Sequence, residues 1–225
     1  MPLQPQSALN WDAAQTISAG TSREPLVPAS PSPHWITWPV YFHNGVQAAL
    51  PEIWVREAVY DRLITAAQSL PPQYRLVVLD GWRPKTVQNS LFEGMRCKLA
   101  LQHPELPGCE LDQRALLYAA RASDDPARPS PHITGGAVDV ALADADGRFL
   151  NMGSTFDEAS ERSWTAAPVA EGHEARRRCL LDAMLQAGFT NLPSEWWHFD
   201  YGNWVWAWYR NKASAIYGPA EIPAI

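Results

Sequence analysis

Ser130-Pro131-His132-Ile133-Thr134-Gly135-Gly136-Ala137-Val138-Asp139-Val140-Ala141-Leu142 is the stretch on which the reading of this chain turns. Residues Ala137 to Leu142 read as a strand. Its alternation sets Val138, Val140 and Leu142 on one face and Ala137, Asp139 and Ala141 on the other. Asp139 therefore has two small residues beside it on its own face, which leaves space above the carboxylate. His132 lies seven residues before Asp139, about 23 Å away if the chain ran extended at ~3.3 Å per residue. Both can reach one point only if the backbone doubles back, and Gly135-Gly136 supplies residues that accept positive φ. An ordinary loop entering a strand is the plainer alternative.

A second stretch, Pro193-Ser194-Glu195-Trp196-Trp197-His198-Phe199-Asp200-Tyr201-Gly202, sets a carboxylate three residues before an imidazole among aromatic side chains. Alone it is either a general base beside a metal ligand or a histidine ion-paired with a glutamate in an aromatic core. Taken with the first stretch, it points to one zinc site. Zinc–nitrogen and zinc–oxygen bonds of about 2.0–2.2 Å require ligand atoms within ~4 Å of one another. His132, Asp139 and His198 would give two imidazoles and one carboxylate. Three protein ligands leave a fourth position for water, which marks a catalytic rather than a structural centre. Imidazole and carboxylate suit zinc, and other divalent ions share part of that preference.

In a straight strand Glu195 and His198 would face opposite ways, so a turn is expected between them, started by Pro193-Ser194. Glu195 would then stand as general base beside the water. Hydrolysing an amide also needs a donor for the developing oxyanion. Arg83, in the turn Asp80-Gly81-Trp82-Arg83-Pro84 after a strand, is the best cationic candidate. Its plainer role is a surface pair with Asp80. His34, His43, His103 and His173 lack such surroundings and are read as surface or core.

The 225 residues allow one large domain or two small ones. An apolar fraction of 46% and a charged fraction of 19% are those of a globular protein. The net charge of −6 argues against a nucleic-acid partner, which requires a basic face. Arg176-Arg177-Arg178 is the one dense basic run and is read as a solvated helix face. No apolar run approaches the ~20 residues that span a bilayer. The start Met1-Pro2-Leu3-Gln4 lacks the pattern of a secretory signal, so a cytoplasmic protein is expected. Cys97, Cys109 and Cys179 have no metal-type spacing and read as ordinary thiols.

Prolines 25, 28, 31, 33 and 39 exclude a regular helix from residues 1–40, expected as an extended N-terminal arm over a domain of residues 41–225. Val55, Val59, Leu63 and Ala67 predict a helix over about 52–70. Arg75–Leu79 predicts a buried strand, Thr86–Leu101 a helix, and Leu111–Arg121 another. Asp144–Gly147 reads as a hairpin turn with Arg148–Leu150 returning, and Gly153–Asp157 as a loop. Glu174–Ala187 predicts a helix closed by Gly188. Phe189–Leu192 and Trp197–Tyr201 read as strands. Trp204, Trp206 and Trp208 recur with period two and predict an edge strand. The expected class is α+β: a single domain with helices packed on one side of a mainly antiparallel sheet and the zinc site at the sheet centre.

Ser130-x-His132-x-x-Gly135-x-Ala137-x-Asp139, Asp80-Gly81-Trp82-Arg83-Pro84, Met152-Gly153-Ser154-x-Phe156-Asp157 and Glu195-Trp196-Trp197-His198 occur in the order seen in VanX-type D-alanyl-D-alanine dipeptidases. From about residue 50 to 205 the chain closely resembles that family. The resemblance implies a dipeptidase with one zinc ion per chain that cleaves D-Ala-D-Ala to two D-alanines. It implies His132, Asp139 and His198 as ligands, Glu195 as catalytic base and Arg83 as stabiliser of the tetrahedral intermediate. It places Ser130 and Asp157 near the substrate, Asp157 facing the dipeptide ammonium. Pro131, Gly136 and Trp164 depart from the family's pattern, and the arm of residues 1–40 matches nothing in it; these departures bear on substrate range. The expected partner is a small dipeptide, with no nucleic acid, membrane or obligatory protein partner. One alternative keeps the site but opens the pocket, giving a D,D-carboxypeptidase or endopeptidase acting on peptidoglycan stem peptides. Another is a non-enzymatic zinc-stabilised binding module, as in hedgehog-type relatives, against which the intact Glu195 and Arg83 speak.

Overall fold

The computed structural model describes residue 3 and residues 7–14, 16–116 and 119–222. Its centre is a strand pair. β4 (Tyr74–Asp80) and β5 (Ala137–Asp144) run antiparallel with Leu76 opposite Leu142 and Val78 opposite Val140, and the register shifts between Val78 and Asp80. These branched and aliphatic side chains are fully buried, as a pleated interior surface requires. The shift brings Asp80 opposite Asp139, so the irregularity aims two carboxylates at one end of the pair, a common use of a β-bulge beside a functional site.

β7 (His198–Asp200) pairs antiparallel with the start of β5, setting His198 opposite Asp139 and Asp200 opposite Ala137. β6 (Thr190–Asn191) closes one edge. β2 (Trp35–Thr37) lies parallel to β4 at the other edge, giving the order β2-β4-β5-β7-β6. The sheet is thus mainly antiparallel, and β5 with its aspartate is its middle strand.

Residues 1–40, expected as an arm laid over the domain, contribute structure to it. They supply β2, and β1 (Leu26–Pro28) pairs with β3 (Trp54–Arg56) in a small second sheet. The pairing of Val55 with Val27 also explains why the helix expected from about residue 52 begins later, as α3 (Glu57–Ser69). Strand partners claim residues 54–56 even though Val55 falls on the helical stripe.

α3 packs against α6 (Glu171–Gln186), and both lie on the sheet, with Leu63, Leu180 and Met184 fully buried. Each such side chain contributes about 1.5–3 kcal/mol relative to exposure. α6 ends as predicted: Gly188 has φ 94°, its N–H donates to Leu185 O and that of Phe189 to Met184 O, the paired bonds of a Schellman cap. α4 (Lys85–Gln102) and α5 (Gly108–Ala115) form a satellite pair around Phe92, Leu99 and Leu111. The helix expected over Leu111–Arg121 starts earlier and stops by Ala115; Leu117 and Tyr118 lie outside the described residues. The return expected over Arg148–Leu150 is reduced to one bridge, Ala143 to Phe149.

Two expectations are overturned. Trp204, Trp206 and Trp208 lie on α7 (Trp204–Tyr209), not on an edge strand. Asn203 caps the helix by accepting from the Trp206 amide, and Gly202 at φ 72° breaks the chain away from β7. Helical spacing then puts Trp204 and Trp208 on one face and Trp206 nearly opposite. Arg177 is the second case. It is 1% exposed and donates to the carbonyls of Met152, Trp164 and Arg162. Arg176 and Arg178 bond near the surface, to Asn151 O and to Glu174, so only the middle arginine faces inward. Among the described residues no helix is long and apolar enough to cross a membrane.

Candidate metal centre

The backbone between His132 and Asp139 doubles back as its composition requires. Pro131–Thr134 forms a single 3-10 turn, Gly135 leaves it at φ 71°, and β5 begins at Ala137. That left-handed conformation is what selects glycine at position 135. The turn before β7 is also present. The Glu195 amide donates to Leu192 O, and Asn191 Nδ2 donates to the carbonyls of both Glu195 and His198 at 3.0 and 2.9 Å. Asn191, buried on β6, therefore fixes the bend that lets Glu195 and His198 face the same space.

His132, Asp139 and His198 are all buried and present ligand atoms to one point. His132 Nε2 is 3.2 Å from His198 Nδ1, His198 Nδ1 is 3.1 Å from Asp139 Oδ1, and His132 Nε2 is 3.6 Å from that oxygen. Three ligands at ~2.1 Å from a tetrahedral zinc ion stand roughly 3.4 Å apart, so the triangle already has the size of a coordination face. The far side of each ring is also occupied. His132 Nδ1 is 2.7 Å from Gly81 O, and His198 Nε2 is 3.1 Å from Asp200 Oδ1. A carbonyl and a carboxylate accept only, so each of these nitrogens carries a proton, which leaves Nε2 of His132 and, once a cation displaces its proton, Nδ1 of His198 as the ligand atoms. The residues present fit a divalent ion.

Electrostatics agree with the geometry. Burial, then the Arg83 cation, push His132 down to about 3, so this imidazole is neutral. Burial would also lower His198, but the carboxylates of Asp200 and Asp139 overcome it and hold its pKa well above the ordinary value. A cation entering the site therefore competes with a proton on His198. Asp139 is kept low against its burial by His132, His198 and Arg83.

Glu195 Oε2 lies 3.9 Å from His198 Nδ1, and a third of its side chain stays open to the cleft. Its packed surroundings nonetheless push the carboxyl up to about 7, a value suited to taking and returning a proton near neutrality. Arg83 is not the surface pair that its plainer reading offered. It is buried, with Nε on Asp80 at 2.7 Å, Nη1 on Gln88 at 2.8 Å and Nη2 on Asp139 Oδ2 at 3.1 Å. Asp157 joins this group through Tyr41, whose hydroxyl donates to Asp157 Oδ2 at 2.8 Å and accepts from Arg83 Nη2 at 3.3 Å. Ser130 stands apart: its hydroxyl accepts from the Ser123 amide, and among the described residues no hydrogen bond ties it to the cluster.

Sequence reasoning missed Asp200, Asn191, Gln88 and Tyr41. Asp200 had a readable signal, a carboxylate two residues after His198 and so on the same strand face. Tyr41 had none. It sits on α2 (Val40–His43), 42 residues from Arg83 and 116 from Asp157.

The peptidase M15 family model, described as D-ala-D-ala dipeptidase, matches residues 47–214. The D-alanyl-D-alanine dipeptidase of Synechocystis sp. is 32% identical over 196 residues, covering 74% of this chain and 79% of the relative. That of Escherichia coli is 33% identical over 127 residues, covering 56% and 54%, respectively. Among solved structures, the vancomycin-resistance D,D-pentapeptidase VanY E175A mutant in complex with Zn(II) aligns over 90% of this chain and 97% of its own, at 12% identity and a TM-score of 0.42.

Proposed function

Because the chain belongs to the peptidase M15 family of D-Ala-D-Ala dipeptidases, we propose that it hydrolyses the free dipeptide D-Ala-D-Ala to two D-alanines with zinc held by His132, Asp139 and His198. The observation that carries this reading is the preset triangle of ligand atoms with Glu195 Oε2 beside it. Zinc there would supply Lewis-acid polarisation of water and of the scissile carbonyl.

The remaining work falls to side chains. Glu195, ionised in a useful fraction at neutral pH, takes a proton from the attacking water and delivers it to the departing amine. The Arg83 guanidinium is fixed on three sides by Asp80, Gln88 and Tyr41. It is thus preorganised to face the oxyanion of the tetrahedral intermediate without reorganising at the moment of reaction. Asp157, exposed at the rim, receives the dipeptide ammonium. Phe156 and Trp197, with ring centroids 5.2 Å apart, supply apolar surface near this pole. A cytoplasmic location goes with the reading, since Cys97, Cys109 and Cys179 are all free thiols.

Purified protein given one equivalent of zinc is expected to release D-alanine from D-Ala-D-Ala and to leave L-Ala-L-Ala intact. Glu195→Ala is expected to keep the metal and lose turnover. A variant that retains both would remove Glu195 from the reaction. Faster cleavage of a D-Ala-D-Ala-terminated pentapeptide than of the dipeptide would replace the reading with a carboxypeptidase.

A further inference from the structure

Tyr41 is 6% exposed, and the hydrogen bonds of its hydroxyl go to residues outside its own helix. It bridges the two charged groups between which a dipeptide must fit. The O–H donates to Asp157 Oδ2 at 2.8 Å and accepts from Arg83 Nη2 at 3.3 Å, while its ring lies 4.8 Å from the guanidinium carbon. Arg83 in turn donates to Asp139 Oδ2 at 3.1 Å. An unbroken line of three hydrogen bonds therefore runs from Asp157 to the proposed metal ligand Asp139.

Asp157 needs this support. It is exposed and adopts φ 56°, a left-handed conformation unusual outside glycine. Among the described residues its side chain takes a hydrogen bond from Tyr41 alone. The phenol stays protonated, since burial raises its pKa well above the ordinary value, so it always has a hydrogen to give. Without it, an exposed carboxylate beside solvent has several rotamers to choose from.

We propose that Tyr41 is the positioning residue that sets selectivity for a free ammonium next to the scissile bond, by holding Asp157 at a fixed distance from Arg83 and the metal centre. The inference rests on the dipeptidase reading above. In a dipeptide the ammonium sits on the same residue as the reacting carbonyl, so a carboxylate fixed beside the metal centre can meet it. An N-blocked peptide gains nothing from Asp157.

The test compares the zinc-loaded wild type with Tyr41→Phe, Asp157→Asn and the double variant. D-Ala-D-Ala is the substrate and N-acetyl-D-Ala-D-Ala, which has no ammonium, the competitive inhibitor. Phenylalanine keeps the ring and its packing. Losing a hydrogen bond to a charged group is expected to raise the KM of Tyr41→Phe for the dipeptide about tenfold, with a smaller change in kcat. The inhibition constant of the N-acetyl compound is expected to stay within about twofold, and the double variant to show a KM no higher than Asp157→Asn alone. A parallel rise in KM and in the inhibition constant would make Tyr41 a merely structural residue and overturn the proposal. So would an unchanged KM, or additive effects in the double variant. A wild type that cleaves no dipeptide overturns the functional reading itself, and this inference with it.

Discussion

The imidazole of His198 directs Nε2 at Asp200 Oδ1, 3.1 Å away, and so presents Nδ1 to Asp139 and to the space where a cation would sit. Asp200 is fully buried, holds a second hydrogen bond from Asn203 Nδ2 at 2.6 Å, and leaves Oδ2 without a partner among the described groups. A buried carboxylate with an orphan oxygen is costly by itself. Its place behind the imidazole of a proposed metal ligand would give that cost a purpose, because such a partner fixes the tautomer and raises the ring's basicity.

Asp200→Asn tests this arrangement. The amide can offer a donor where His198 Nε2 needs an acceptor, so the ring loses its enforced tautomer. Zinc affinity, read by competition with a chelator, is expected to fall about 10–100-fold. An affinity equal to the wild type's would show that Asp200 only fills the sheet.

Glu195 makes the pH dependence specific. Its carboxyl is pushed up to about 7 by its packed surroundings, and the base role proposed for it requires the ionised form. Protonation as pH falls removes that base, so turnover of the zinc-loaded protein is expected to fall toward acid, not toward alkali. A nearby dication favours the carboxylate and moves the limb lower. Carboxyl carbon NMR of the metal-free protein, assigned with Glu195→Gln, is expected to show one glutamate titrating near 7; a midpoint near 4.3 contradicts the account.

Arg177 and Arg178 are neighbours in sequence with opposite prospects. Arg177 donates to the carbonyls of Met152, Arg162 and Trp164, tying the segment that carries Asp157 to α6. Burial lowers its pKa to about 10, so it stays charged. Arg177→Ala leaves three acceptors without this donor and is expected to cost about 3 kcal/mol or more in urea unfolding. Arg178→Ala, which gives up a surface pair with Glu174, is expected to cost at most about 0.5 kcal/mol. Equal costs would refute the division.

What could be read from the sequence follows from locality. The strand at Ala137, the turn at Gly135-Gly136 and the bend before His198 each depend on residues a few positions apart, and the structure has all three. The class followed from them, as did the meeting of His132, Asp139 and His198. Long-range pairings were out of reach. Nothing near Val55 shows that Val27 will claim it for a sheet, nothing in Arg176-Arg177-Arg178 shows which arginine turns inward, and the tryptophans of α7 carry a period that the Asn203 cap overrides. Tyr41 was invisible for the same reason, since its partners are brought to it only by the finished fold.

Two imidazoles and one carboxylate are proposed to hold a single zinc ion, and zinc K-edge absorption spectroscopy of protein carrying one equivalent of metal reads that ligand set. Nitrogen and oxygen neighbours alone are expected at about 2.0–2.2 Å, with an imidazole scattering signature from two histidines that drops to one in His198→Ala. A sulfur neighbour at about 2.3 Å, or a spectrum unchanged by that substitution, would contradict it.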